Sequence, residues 1–304
     1  MTVKLLVLNN LSSGLGDGAI FDYIRTMLED GDEVVIRASD GTTDMRTFLH
    51  DAERFDAVVT AGGDGSSSSI VYLLRDTGIP ILPFPAGTAN LLSANLESPE
   101  EPHALVTMTR DFQTMDFDLG EIEFPDGMKH GFTIMAGAGY DAKIMKDAEP
   151  SKKIFGPMAY FTSAVANPMP QFSTFKLEID GETIESSGVG VLIINFSRIQ
   201  FDITVVHENR PRDGAFDIVV LNTKDAFGLI PALFTALLDR SGDFPARPDA
   251  LEVYRGSNVR VEADPPLQVQ FDGELADRTT PFTARVLPEA ARYIVSKECI
   301  KHFS

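Results

Sequence analysis

Apolar and polar positions follow two rhythms in the first third of the chain. Short apolar runs at Val3–Leu8, Glu33–Ile36, Ala57–Thr60 and Pro80–Phe84 read as strands. Longer stretches with helical spacing lie between them at Ala19–Leu28, Thr43–Glu53 and about Ser67–Asp76, and a further helix opens near Thr88. Strand–helix alternation predicts a parallel sheet with crossover helices. After about residue 116 the pattern becomes mostly strands: Phe117–Phe124, Gly131–Ala136, Phe175–Ile179, Gly188–Phe196, Ala215–Leu221, Asn258–Ala263, Leu267–Phe271 and Phe282–Val286. Helical interruptions near Gly156–Ala166 and Ala226–Leu238 break this series. The second rhythm predicts an antiparallel sandwich or barrel.

Composition narrows the class. The 304 residues are 43% hydrophobic and 23% charged, enough for one large or two medium globular domains. The net charge of −19, from 26 basic against 45 acidic residues, argues against a nucleic-acid partner, because such binding needs Lys and Arg on phosphates. The longest apolar runs, such as Val189–Phe196, fall well short of the roughly 20 residues that span a bilayer, so no transmembrane segment is expected. The N-terminus lacks a signal-peptide cleavage pattern, and the one cysteine, Cys299, excludes an internal disulfide framework. The expected location is cytoplasmic, with peripheral membrane contact left open. Lys143–Lys153 is the one basic stretch that could touch an anionic membrane, and an ordinary solvated surface is its plainer reading. The five histidines show no ligand spacing.

The chemistry concentrates where predicted parallel strands end. Gly62-Gly63-Asp64-Gly65 follows the strand at Ala57–Thr60, and ligands of open parallel sheets bind beyond such carboxyl ends. The glycines permit positive φ and close backbone approach, and Ser66 or Ser67 can cap the following helix. Free N–H groups at a helix start attract phosphate, whereas an aspartate there would repel it unless a divalent cation lies between them. The loop therefore suits nucleotide phosphate plus magnesium; the plain alternative is a tight turn in which Asp64 only caps. Asn9–Gly14 and Pro85–Asn90 end neighbouring strands and offer glycine, hydroxyl and amide groups to the same edge.

These motifs, GGDGS followed by PAGTAN and preceded by NNLSSG, resemble the diacylglycerol kinase catalytic-domain family of soluble lipid kinases. FTIMAGAGYDAKI (132–144), KKIFGPMAY (152–160), RPRDGAFDIVVL (210–221) and QFDGE (270–274) extend the resemblance in order over most of the chain. The resemblance implies a three-layer α/β nucleotide-binding domain at 1–115, to which about 288–304 returns, and a β-sandwich lipid or acceptor domain at 116–287. It implies ATP- and magnesium-dependent phosphorylation of a hydroxyl of diacylglycerol or a related lipid, a sphingoid base included, in the cleft between the domains.

Residue by residue, Gly62, Gly63, Asp64, Gly65 and Ser66 match the nucleotide loop, and Asn10, Ser13 and Gly14 match the first phosphate turn. Gly87, Thr88 and Asn90 match the third loop, and Ser39 stands where the family has a nucleotide-contacting Thr. Asp64 and Asp118 match the magnesium network, with Asp116 close enough to take the latter's part. Asp213, with the carbonyls of Arg210 and Ala215, matches a structural magnesium site. Asp272 and Glu274 match the loop carrying the general base, with Asp272 the first choice; a solvent-facing hairpin is the plain alternative.

Departures from the pattern are Leu11 for Pro, Ser68 and Ser69 for an amide and an acid, and Leu91 for Asp. The segment after Asn195 also lacks the usual glycines. The rival readings are an NAD kinase and a non-catalytic nucleotide- or lipid-binding relative. The expected partner is a lipid at a membrane surface, and a homodimer stays open. The apolar stretch 154–172 is either a lipid-lining segment or an ordinary core helix.

Overall fold

The computed structural model describes residues 2–11, 18–29, 31–40, 42–87, 89–139, 171–199, 203–204, 209–223 and 251–304. These fall into two compact units, 1–119 with 287–304, and 120–286. The two long helical interruptions expected near 156–166 and 226–238, the basic stretch 143–153 and all but the last two residues of 154–172 lie outside the described residues.

The first unit opens with strand β1 (Lys4–Asn10), helix α1 (Ala19–Glu29) and strand β2 (Glu33–Ser39). The expected helix at 43–53 is a single turn, α2 (Arg46–Leu49), and a 3₁₀ turn at Ala52–Arg54. Strand β3 (Ala57–Gly62), helix α3 (Asp64–Leu73), strand β4 (Ile81–Pro85), helices α4 (Leu91–Asn95) and α5 (Pro102–Asp111) and strand β5 (Thr114–Glu123) follow. The strand order is β2-β1-β3-β4, continued by the C-terminal half of β18 (Phe282–Ile294), with parallel pairing throughout this series.

Because this sheet is covered on both faces, its central strands are buried on both, and β1 and β3 read as continuous apolar runs. Ile20, Tyr23, Ile24 and Met27 of α1 pack with Leu5, Val7, Val59 and Leu82 on one side. Helix α6 (Lys297–Phe303), capped by Ser296 Oγ accepting from Cys299 N, sets Phe303 edge-on to Phe117.

The second unit holds two antiparallel sheets. In one, β18 pairs with β15 (Asn258–Asp264), β15 with β8 (Ser173–Ile179) and β8 with β9 (Glu182–Gly188); β6 (Lys129–Phe132) pairs with the end of β5. The other runs in the order β14 (Leu251–Gly256), β13 (Phe216–Leu221), β10 (Gly190–Ile194), β7 (Met135–Gly139), β16 (Gln268–Phe271), β17 (Glu274–Thr279). A two-residue ladder, β11 (Arg198–Ile199) with β12 (Ile203–Thr204), stands apart.

Phe175, Leu177, Val259 and Phe282 of the first sheet meet Val191, Ile193, Ile218 and Val220 of the second in one core. The unit is therefore a β-sandwich. Strand β8 shows the alternation of a sheet with one buried face, whereas β10 and β13 are buried throughout.

The expected strand at 131–136 is two strands, β6 and β7, interrupted at Thr133 and Ile134. The physical reason is a carboxylate, described below, that takes the backbone N–H groups a continuous ladder would have used.

Candidate active site

Strands β1, β3 and β4 end side by side at the carboxyl edge of the first unit's sheet, and the described parts of the loops that follow them lie there. Helix α3 begins three residues earlier than its apolar spacing suggests, so Asp64 is its first residue and Gly63, in extended conformation, its N-cap. Ser66 and Ser67 thus sit in the first turn rather than at the cap. Asn10 Nδ2, at the end of β1, donates to Ser66 Oγ at 2.7 Å, and Thr60 Oγ1 donates to Ser67 Oγ at 3.0 Å.

The glycines of this loop have no positive φ; close approach is what one of their neighbours requires. A Cβ on Gly87 would lie 3.0 Å from Gly63 Cα and 3.1 Å from both Gly62 O and Asn90 Oδ1. The third loop therefore packs backbone against backbone on the GGDG turn. Gly87 N donates to Asn90 Oδ1 at 2.7 Å within the third loop, and Leu92 N, just after it, joins the GGDG turn by donating to Asp64 Oδ1 at 3.0 Å. Asn90 adopts the left-handed conformation, as a short amide side chain tolerates.

Asn10, Ser39, Gly62 and Ser66 border one small cavity together with Met45 and Phe48, and Ser39 is buried. The structure thus brings together Asn10, Ser39, Gly62, Gly63, Asp64, Gly65, Ser66, Gly87 and Asn90; Ser13, Gly14 and Thr88 lie outside the described residues.

The acidic residues differ in their engagements. Asp118 is buried and accepts from Glu289 N at 2.9 Å through Oδ1. Asp116 is held bidentately by Arg292, at 2.7 and 2.9 Å, which fits it to an ion pair rather than to the role of Asp118. Among the described residues no three His, Cys, Asp or Glu side chains cluster as a metal cage. Magnesium needs none: it is held by one or two carboxylates, substrate phosphates and waters. Asp64 stands at a helix start beside glycine backbone, a position that suits one such carboxylate.

The Asp213 set does not fit a cation. Its carboxylate is ion-paired with Arg255 and accepts from Ala215 N at 3.2 Å. The Arg210 carbonyl accepts from Arg212 N at 2.7 Å and from Asp213 N at 3.3 Å. A guanidinium already supplies the positive charge the turn needs.

In the second unit, Asp272 and Gly273 are the two central residues of the β16–β17 hairpin, with φ of 44° and 86° and Phe271 opposite Glu274. Positive φ at both positions is the type I′ turn that Asp-Gly favours. Asp272 does not face solvent. It is 7% exposed, and its carboxylate accepts four bonds: from Thr133 N (2.5 Å), Thr133 Oγ1 (3.0 Å), Ile134 N (2.8 Å) and Met135 N (2.9 Å). Asp272 N donates back to Met135 O at 2.9 Å. From the other side, Asn195 Nδ2 donates to Thr133 O at 2.8 Å, and Asn195 N and Phe196 N donate to Ile134 O.

Glu274, two residues on, is exposed, yet protein atoms crowd its carboxyl. That desolvation, and secondarily the charge of Asp272, raise its pKa above the ordinary carboxylate value. Sequence reasoning passed over Thr133 and Asn195; the one signal for Asn195 was an amide ending the apolar run GVLII, and Thr133 offered none.

Comparison with known proteins adds to this geometry. Residues 4–122 match the model of the diacylglycerol kinase catalytic domain, and residues 134–295, over half of the chain, match the YegS C-terminal NAD kinase β-sandwich-like domain. A diacylglycerol kinase of Mycobacterium tuberculosis is 27% identical over 286 residues, covering 90% of this chain and 89% of that protein. An uncharacterized protein of Synechocystis is 28% identical over 254 residues, and the chain spans only 55% of its length. The crystal structure of a diacylglycerol kinase from Bacillus anthracis superposes with a TM-score of 0.76 at 18% identity, covering 97% of this chain and 98% of that one, which shows a shared fold.

Proposed function

We propose, for a chain that belongs to the diacylglycerol kinase catalytic-domain family and is a phosphotransferase with an alcohol group as acceptor, that it transfers the γ-phosphoryl group of ATP to a hydroxyl of diacylglycerol or a closely related lipid. The observation that carries this reading is the convergence of two glycine loops on Asp64, through Leu92 N and the Gly87–Gly63 approach.

Phosphoryl transfer asks the protein mainly for positioning and charge neutralisation. The N-terminus of α3 and the glycine backbone at 62–65 would cradle phosphate oxygens with N–H groups and the positive end of the helix dipole. Asp64 and Asp118 would hold magnesium, which neutralises developing charge on the transferred group. Asn10, Ser39 and Asn90 supply polar side chains along the same edge for the rest of the nucleotide.

A lipid hydroxyl keeps its proton at neutral pH, so a base must take it as transfer proceeds. We assign that proton to Glu274 Oε and give Asp272 a positioning role, reversing the order of preference the sequence suggests. All four donors on Asp272 come from the 133–135 turn, so protonating it would break the bonds that hold that turn. Glu274 is exposed to an incoming hydroxyl, and its raised pKa brings its basicity nearer to neutral pH. No helix among the described residues is long and apolar enough to cross a membrane, so the lipid would be reached from the membrane surface.

The test is incubation of purified protein with γ-labelled ATP, magnesium, a panel of diacylglycerol, sphingoid-base and ceramide acceptors, and NAD in parallel. Label in a lipid hydroxyl supports the reading. Label in NAD alone supports an NAD kinase, and bound ATP without transfer to any acceptor supports a non-catalytic relative.

A further inference from the structure

We propose that His130 is a positioning residue for Glu274: stacked on Phe271, it holds that ring as a wall beside the carboxyl. His50, His103 and His302 lie exposed, whereas His130 is half-buried on β6. It stands opposite Ile122 of β5, so its ring turns to the face that carries Ile122 and Phe132 into the core. Lys129, its neighbour, turns to the other face and pairs with Glu121 and Glu123.

There an aromatic row crosses from one sheet of the sandwich to the other. The Phe282 ring of β18 lies 6.4 Å from that of Phe124, Phe124 meets His130 edge-on at 6.3 Å, and His130 stacks on Phe271 of β16 at 4.8 Å and 22°. Phe282 and Phe124 are buried, so the inner end of the row is fixed. Phe271 is its outer end, and His130 covers one face of that ring. Phe271 in turn stands opposite Glu274, because the two close the β16–β17 hairpin. Directly opposite residues of an antiparallel pair project from the same face, with Cβ atoms about 4.5–5.5 Å apart. A ring fixed at that distance keeps water from one side of the carboxyl.

Loss of solvent is also the main cause of the raised Glu274 pKa, with the charge of Asp272 second. A cation in the wall would undo this by favouring the carboxylate. His130 supplies none at neutral pH, because burial, and then the charge of Arg278, hold its pKa below the ordinary value. Arg278 of β17 is itself paired with Asp126 of the β5–β6 turn. The 133–135 turn brings the uncharged Thr133, Ile134 and Met135 to the hairpin tip. An imidazole here therefore acts as a flat, neutral ring.

The role rests on Glu274 as the base, and the experiment separates the two. Carboxyl-carbon NMR of protein labelled in its glutamates follows Glu274 from pH 4 to pH 8, its signal assigned by its loss in Glu274→Gln. Turnover and the KM for ATP are measured on the same samples. In His130→Ala the Glu274 midpoint should move down toward the ordinary carboxylate value, with the KM for ATP unchanged. Its kcat should fall about tenfold, a fraction of the 10²–10⁴ that a general base supplies. His130→Asn, which keeps a polar group at a half-buried position, should do the same with the fold intact. His130→Phe should restore midpoint and turnover, because it returns an uncharged ring. A midpoint unchanged in His130→Ala and His130→Asn, or not restored in His130→Phe, overturns the proposal. Normal kcat in both variants that lack a ring, beside an inactive Glu274→Gln, overturns it as well. Normal turnover in Glu274→Gln refutes the base instead, and the NMR midpoint then still decides whether His130 walls the carboxyl.

Discussion

The carboxylate of Asp272 accepts both the backbone N–H and the hydroxyl of Thr133, at 2.5 and 3.0 Å, across 139 residues of sequence. With the N–H groups of Ile134 and Met135 added, the hairpin tip is bolted to the turn before β7. Glu274 is thereby held at a fixed place relative to that turn. Removing the anchor and removing the base should therefore look different.

In Asp272→Asn, one oxygen becomes an NH₂ group facing donors. Each donor left without an acceptor costs roughly 1–3 kcal/mol. The expected result is a fall of several degrees in Tm with reduced turnover, whereas Glu274→Gln should melt near the wild type and lose about 10²–10⁴-fold in kcat. Thermal melts beside kcat for the two variants check this. A stable Asp272→Asn protein with normal turnover would dissolve the anchor.

Glu274 also sets a pH dependence. Its raised pKa means the folded chain holds this proton more tightly than the unfolded chain does. The stability it contributes is present in acid and is lost as pH rises through the raised value. Turnover should rise over the same interval as the base ionises. In Glu274→Gln both trends should flatten, and its Tm relative to wild type should be more favourable at pH 7 than at pH 4. Melts and kcat/KM profiles from pH 4 to pH 8 provide the comparison.

Gly87→Ala probes the loop contact. The new methyl would press on Gly63 Cα at 3.0 Å and Gly62 O at 3.1 Å, which are backbone atoms with little freedom to retreat. The expected outcome is a nucleotide Kd raised about tenfold, equivalent to about 1.4 kcal/mol, with the far side of the sheet unaffected. Calorimetric titration of ATP with magnesium measures it.

At Asp213, the pairing with Arg255 predicts that any response of Tm to magnesium is the same in Asp213→Ala as in the wild type. Asp213→Ala should cost no more than about 1 kcal/mol, as partly exposed ion pairs do. A magnesium-dependent rise in Tm that disappears in Asp213→Ala would restore a metal to this turn.

The fold was legible because burial leaves different marks on its two halves. LLVL in β1 and VV in β3 are apolar without interruption, as parallel strands covered on both faces must be, and F-x-L-x-I in β8 alternates. Boundaries failed where a distant side chain decided them. Nothing in FTIMAG announces that Asp272 breaks the strand at Thr133, and nothing near Ser67 shows that α3 starts at Asp64. Glycine loops were legible as loops, but the reason for Gly87 is a close approach to Gly63, a contact that exists only after folding. The choice between Asp272 and Glu274 likewise turned on partners 137 to 139 residues away.

If Asp64 serves phosphoryl transfer and does not merely cap α4, removing its charge alone should stop the reaction. Asp64→Asn keeps an oxygen for Leu92 N and an isosteric turn, so the fold should persist. The direct measurement is the initial rate of γ-phosphoryl transfer from ATP to a short-chain diacylglycerol, titrated with magnesium, for wild type and Asp64→Asn side by side. Magnesium-dependent transfer is expected in the wild type and nearly none in the variant at any magnesium concentration. Equal rates in the two proteins at saturating magnesium would contradict it.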